Sequence, residues 1–201
     1  MKRLLALAAL AVMLMAGGQV AAQGAPHIVR GVVAAMTGNS LTITTKDGKT
    51  VAVTLAPTWM VAVLKPIPVS AIQPGSFIGT TEMPQADGTG VSVEVHVFPP
   101  GVKMGEGHYP WDLQPGAMMT NGTVGTVTAV SNGQALDVSY PGGTRHVVVP
   151  ANVPIVLITP GGDHALVHTG VAVFLVAQAA ADGSLTAGAV SVGADGAPPP
   201  M

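Results

Sequence analysis

The 201-residue sequence predicts an all-β protein made of two tandem, five-stranded, OB-like small barrels. Three observations carry that expectation. The 26 glycines and 17 prolines do not form one low-complexity block but punctuate short stretches rich in valine, threonine and alanine. The stretch SLTITTKDGKTVAVTL alternates Leu41 and Ile43, turns at Asp47 and Gly48, then alternates Val51, Val53 and Leu55, which is the pattern of a hairpin with one buried face. Finally, the chain repeats itself at an offset of 94 or 95 residues.

Taken in order, the first segment reads as a targeting signal. Lys2 and Arg3 precede the 13-residue apolar run LLALAALAVMLMA, with small residues at Val20 and Ala22, so residues 1–22 are expected to be a cleavable signal peptide and the mature chain to be secreted, into the periplasm. The run is too short to cross a bilayer, and glycine, proline or polar residues interrupt every later apolar stretch, so no membrane span is expected in the mature chain. Without cysteine there is neither a disulfide framework nor a lipid-bearing thiol. Loss of Lys2 and Arg3 leaves six basic against ten acidic side chains, and aromatic residues make up 3% of the chain; both argue against nucleic acid as a partner.

The repeat then divides the mature chain. VRGVVAAMTGNSLTIT matches TVGTVTAVSNGQALDVS, Gly75 falls on Gly170, ADG at 86–88 on ADG at 181–183, and VEVHV on GAVSV. The expected domains are a first barrel at 28–98, a linker with a polar cluster at 99–120, a second barrel at 121–193 and a disordered tail at 194–201. Each copy offers about five strands, a size that suits a small closed barrel. PVSAIQPG and GGDHALVHTG are expected to form short helical turns that plug one end of each.

The succession R-G-V-V, N-S-L-T-I, D-G-K-T-V, I-Q-P-G-S-F-I-G and D-G resembles exported bacterial proteins of the domain of unknown function 5666 type. The resemblance spans both halves and implies an OB-like periplasmic module; it implies no activity. GEGHYPWDL resembles a segment found in a subset of these proteins that sometimes carries a metal-transport permease label, a role that needs membrane spans.

Comparing the two copies isolates candidate functional residues. Val95 and Val97 align with Val190 and Val192 and define a core-facing side, whereas Glu94 and His96 stand where the second copy has Ala189 and Ser191. The linker adds Glu106, His108, Trp111 and Asp112 where an inert tether would be bland. If it folds back over the strand it has just left, Glu94, His96, Glu106 and His108 come together as a metal site, with Asp112 as an outer acceptor, Trp111 as the anchor and Met104 as a soft neighbour. Imidazole and carboxylate suit zinc or copper(II), and thioether favours copper(I). In residue types the set is similar to small periplasmic copper and silver chaperones. A second, weaker candidate is Asp163, His164 and His168, with the two histidines four apart.

No strained nucleophile elbow, catalytic cysteine, phosphate loop or aromatic sugar cleft is present in the sequence, so no enzymatic activity is expected. The sequence therefore points to an exported, non-enzymatic binding or interaction module with a metal site between first barrel and linker. The alternative is a structural cell-envelope protein whose linker cluster only docks the two barrels and whose partner is another envelope protein.

Overall fold

The computed structural model describes residues 26–201, so the signal peptide expected at 1–22 lies outside the described residues. The fold is nearly all-β. Its strands are β1 (Pro26–Thr37), β2 (Ser40–Thr45), β3 (Thr50–Pro66), β4 (Phe77–Pro84), β5 (Gly90–Val97), β6 (Gly107–Pro110), β7 (Met118–Val130), β8 (Gly133–Tyr140), β9 (Gly143–Pro150), β10 (Ile155–Gly162), β11 (Ala172–Ala179) and β12 (Leu185–Gly193). Among the described residues no helix is long and apolar enough to cross a membrane.

The β2–β3 hairpin forms where alternation places it. Leu41, Ile43, Val53 and Leu55 are buried, and Gly48 turns the chain with φ of 79°, a conformation that a β-carbon would penalise. The short turns at Val69–Ala71 and His164–Leu166 are 3-10 helices, and the apolar residues just after them, Ile72 and Val167, are each driven into a core.

Closure of the barrels departs from the expected boundaries. One closed five-stranded barrel is made by β1, β2, β3, β11 and β12, with β12 returning to β3 in parallel over seven residue pairs from Thr186↔Thr54 to Gly193↔Leu64. A second set joins β5, β4, β7, β8 and β9 in order, and its two ends meet only at Gly90↔Val147 and Val91↔Val148. Residues 28–98 and 121–193 are thus not two self-contained units: β1–β3 bond to β11 and β12, while β4 and β5 bond to β7 and β9. Residues 77–150 lie contiguously in the second set, inserted between the β3 and β10 parts of the chain. Strand β10 bridges the two, antiparallel to β3 and parallel to β5.

The physical reason that sequence could not assign these partners is that register and turn chemistry are local, whereas two equivalent hairpins fit two equivalent openings. The equivalence is visible in detail. Gly88 N–H donates to Gln85 O and Gly183 N–H to Ala180 O, with Asp87 and Asp182 each accepting from the backbone amide two residues on. Across the exchange, Gly75 N–H donates to Val124 O and Gly170 N–H to Val33 O.

Two cores follow. Leu41, Ile43, Val53, Leu175 and Val190 fill the closed barrel; Ile78, Val95, Leu136, Val138 and Val149 fill the second set. A third, smaller cluster of Leu64, Val156, Phe174 and Met201 lies beside them, with Trp111 and Ile28 packed against it. The tail expected to be disordered at 194–201 is instead docked. After a turn at Ala194–Gly196 it delivers Met201 into this cluster, 4% exposed, and Arg30 Nε donates to the Met201 carbonyl at 2.6 Å. Its composition suits a solvated segment. The groove that receives it is assembled from strands far away in the chain.

Candidate functional site

Three adjacent strands collect the buried polar side chains. Thr80, Thr81 and Glu82 on β4, Ser92, Glu94 and His96 on β5, and Thr120 and Asn121 on β7 are all buried. Register sorts them. Residues directly opposite in antiparallel strands share a face, and successive rows alternate faces. Gly107, Asn121, Gly79 and His96 form one row; His108, Thr120, Thr80 and Val95 form the next; Tyr109, Met119, Thr81 and Glu94 form the third. Because Val95 points into the core of the second set, the middle row is the inner face and the outer two rows are the other face.

Consequently the structure brings Glu94 and His96 together and places His108 on the opposite face. Glu94 Oε1 accepts from Thr81 N at 3.0 Å and from Thr81 Oγ1 at 2.6 Å, while Oε2 lies 3.2 Å from His96 Nδ1. The linker does not fold over β5: its strand β6 pairs with β7, and β4 intervenes between β7 and β5. Glu106 is exposed, and Met104 is 63% exposed. The expected gathering of Glu94, His96, Glu106 and His108 around one point is therefore not formed, because the linker satisfies its backbone on the free edge of β7. Among the described residues no three or more histidine, aspartate or glutamate side chains are grouped to hold a metal ion.

The inner face carries a cluster that sequence reasoning missed. Arg145 on β9 donates through Nε to Glu82 Oε1, through Nη1 to Gly88 O at 2.6 Å and through Nη2 to Thr89 O at 3.0 Å. His108 Nδ1 is 3.9 Å from Glu82 Oε1 and 2.8 Å from Thr120 Oγ1. Glu82 Oε2 is buried without a partner and lies where a side chain on Gly90 would begin, 2.1 Å from that position. Burial pushes the Glu82 carboxyl up, against the pull of Arg145, and burial together with the Arg145 charge holds the His108 imidazole below its ordinary value. The available signals were Glu82, the lone acid of the strand FIGTTEMP, and Arg145, the lone arginine of GTRHVVV.

The remaining candidates are tied into structure. Trp111 packs on the Leu64–Phe174 cluster with the Arg30 guanidinium 5.6 Å from its ring. Asp112 accepts from both Arg30 Nη atoms at 2.8 Å, so it is a partner of β1 and not an outer acceptor for the expected metal site. Asp163 caps the turn by accepting from Ala165 N at 2.8 Å. His164 stacks on Trp59 at 3.9 Å with Nε2 3.1 Å from Trp59 O, while His168 Nδ1 sits 3.1 Å from Thr169 O. The 3-10 turn ends at Leu166, so the two histidines do not share a helical face. In comparison with known proteins, the chain matches no family model, no curated protein and no solved structure.

Proposed function

We propose that the protein is an exported, non-enzymatic interaction module of the cell envelope, in which residues 99–120 fasten the closed barrel to the second strand set. The observation that carries this reading is the use made of the linker's distinctive side chains. Asp112 and Trp111 are both spent on Arg30 of β1, while β6 of the same linker is hydrogen-bonded to β7. A tether that grips both bodies restricts their relative motion, which suits a scaffold presenting one fixed surface. Matching turns at 85–89 and 180–184 support descent from a duplicated OB-like unit whose closing hairpins have changed places, in keeping with the 5666-type resemblance.

The test is a Trp111→Ala, Asp112→Ala double variant, followed by hydrogen exchange and limited proteolysis. Faster exchange and new cleavage within 99–117, with the two cores still protected, are expected. Unchanged exchange and cleavage would refute the docking role. Export is tested separately by fusing residues 1–22 to a reporter that is active only outside the cytoplasm; no reporter activity would sink that part.

A further inference from the structure

On the outer face of β4, two electron-pair donors meet over a glycine. Glu94, whose Oε1 already accepts two hydrogen bonds from Thr81, presents Oε2 to His96 Nδ1 at 3.2 Å. With the ring neutral, a carboxylate acceptor at Nδ1 places the proton there and leaves Nε2 a lone pair. From the other side, Asn121 uses its amide nitrogen to donate to Gly105 O at 3.0 Å and to Tyr109 Oη at 2.8 Å, and that pair of bonds sets its oxygen toward His96. Asn121 is 6% exposed, and its Oδ1 has no partner. A β-carbon on Gly79 would lie 2.0 Å from His96 Nε2 and 2.2 Å from Asn121 Oδ1, so only a glycine there lets the two side chains converge over the strand.

We propose that His96 Nε2 and Asn121 Oδ1 are half of a site for a single borderline transition-metal cation such as Zn²⁺, completed by a side chain from the adjoining loop. A lone pair on His96 Nε2 and the unpartnered Asn121 Oδ1, turned toward the same point, can share one electron-deficient partner. Imidazole nitrogen with an amide oxygen suits zinc, copper(II) or nickel, and a carboxylate that orients the histidine from behind is the arrangement that raises its basicity toward a metal. The loop is already fastened to Asn121 through Gly105 O, and Met104 and Glu106, both exposed, flank Gly105. Glu94 becomes the orienting group in this arrangement and His108, on the other face, has no part in it. The inference does not rest on the docking role of the linker.

The experiment is titration of the purified protein with Zn²⁺ by calorimetry, and with Co²⁺ by its ligand-field absorption, beside His96→Phe, Asn121→Asp, Glu106→Gln and His108→Ala. Circular dichroism checks the fold of each. One saturable ion per chain is expected, lost in His96→Phe, tightened at least about tenfold in Asn121→Asp by the added charge, weakened in Glu106→Gln and unchanged in His108→Ala. Glu94→Gln should weaken binding by about 10–100-fold. Absence of saturable binding in both the parent and Asn121→Asp would overturn the site. So would equal affinity in His96→Phe and the parent, or weaker binding in Asn121→Asp; that last result would mean that the amide is turned to donate its N–H to His96.

Discussion

The closed barrel and the second strand set are held shut by different means. In the first, β12 meets β3 over seven residue pairs, and the core around Leu41, Ile43 and Val190 is wholly apolar. In the second, β5 meets β9 over two pairs, and every buried polar side chain of the described residues lies on its strands β4, β5 and β7. Where the backbone ladder is short, Arg145 takes its place: one guanidinium ties β9 to Glu82 on β4 and to two carbonyls of the β4–β5 turn. Side-chain hydrogen bonds thus do in one half what main-chain pairing does in the other. The former arrangement concentrates the risk in a few groups, because losing one leaves a buried carboxylate unpaired.

The largest effect should come from breaking that tie. Arg145→Met leaves Glu82 and two carbonyls without their donor, at a cost of about 3–5 kcal/mol measured by chemical denaturation. Exchange protection at the Val91 and Val148 amides should fall first, with the closed barrel still protected. A Glu82→Met, Arg145→Met double variant sharpens the comparison. Replacing both charges by apolar groups should recover a large part of the loss, since the orphaned carboxylate goes with its partner. If Arg145→Met is silent, the two-residue β5–β9 contact is enough by itself and the contrast between the halves fails.

Next in size is the contact between the halves. Trp111 is partly buried, so Trp111→Ala should cost about 2 kcal/mol, less than the roughly 3–5 kcal/mol typical of a fully enclosed large aromatic side chain. Asp112→Ala removes an exposed ion pair and should cost about 0.5 kcal/mol, diminishing with salt. Thermal denaturation of the two single variants, at low and at high salt, checks both. A larger loss for Asp112→Ala than for Trp111→Ala would mean that charge, not packing, joins the two bodies.

Local rules made the strands and turns legible. Alternation identified the buried faces of β2, β3, β5 and β12, and the glycines of the ADG turns marked where hairpins reverse. Alternation also put Glu94 and His96 on the face away from the core, where they are. What local rules could not supply was partner choice. Hairpins β4–β5 and β11–β12 have the same turn and similar apolar faces, so nothing near either of them states which three-stranded sheet it will close. The polar cluster is hidden for a related reason. Closeness in sequence groups His108 with His96, yet β6 pairs with β7 and register turns His108 to the inner face, while Glu82 and Arg145, 63 residues apart, meet there. Asn121 and Gly79 carry no signal in isolation; only their shared row gives them meaning.

The smallest predicted effect separates the two faces by their response to pH. His108 sits on the inner face near Arg145, and burial together with that charge depresses its affinity for a proton in the folded state. The folded protein therefore binds this proton less readily than the unfolded chain, whose imidazole titrates near the ordinary value of about 6.5. By linkage, stability attributable to His108 is intact above that pH and declines as pH falls through it toward the lower folded value. Glu82 acts in the opposite sense: burial raises its carboxyl, so the cost of keeping it ionised is relieved as pH falls through its folded value. Replacing His108 by Gln removes the first effect and leaves the second. The denaturation midpoint of His108→Gln should therefore run parallel to that of the parent above about pH 7 and gain on it progressively as pH falls below the ordinary imidazole value of about 6.5. Parallel curves over the whole range would show that the His108 ring is hydrated in the folded protein and that the polar end of the second set is open to water, which would leave Glu82 and Arg145 a weaker clasp than their burial implies.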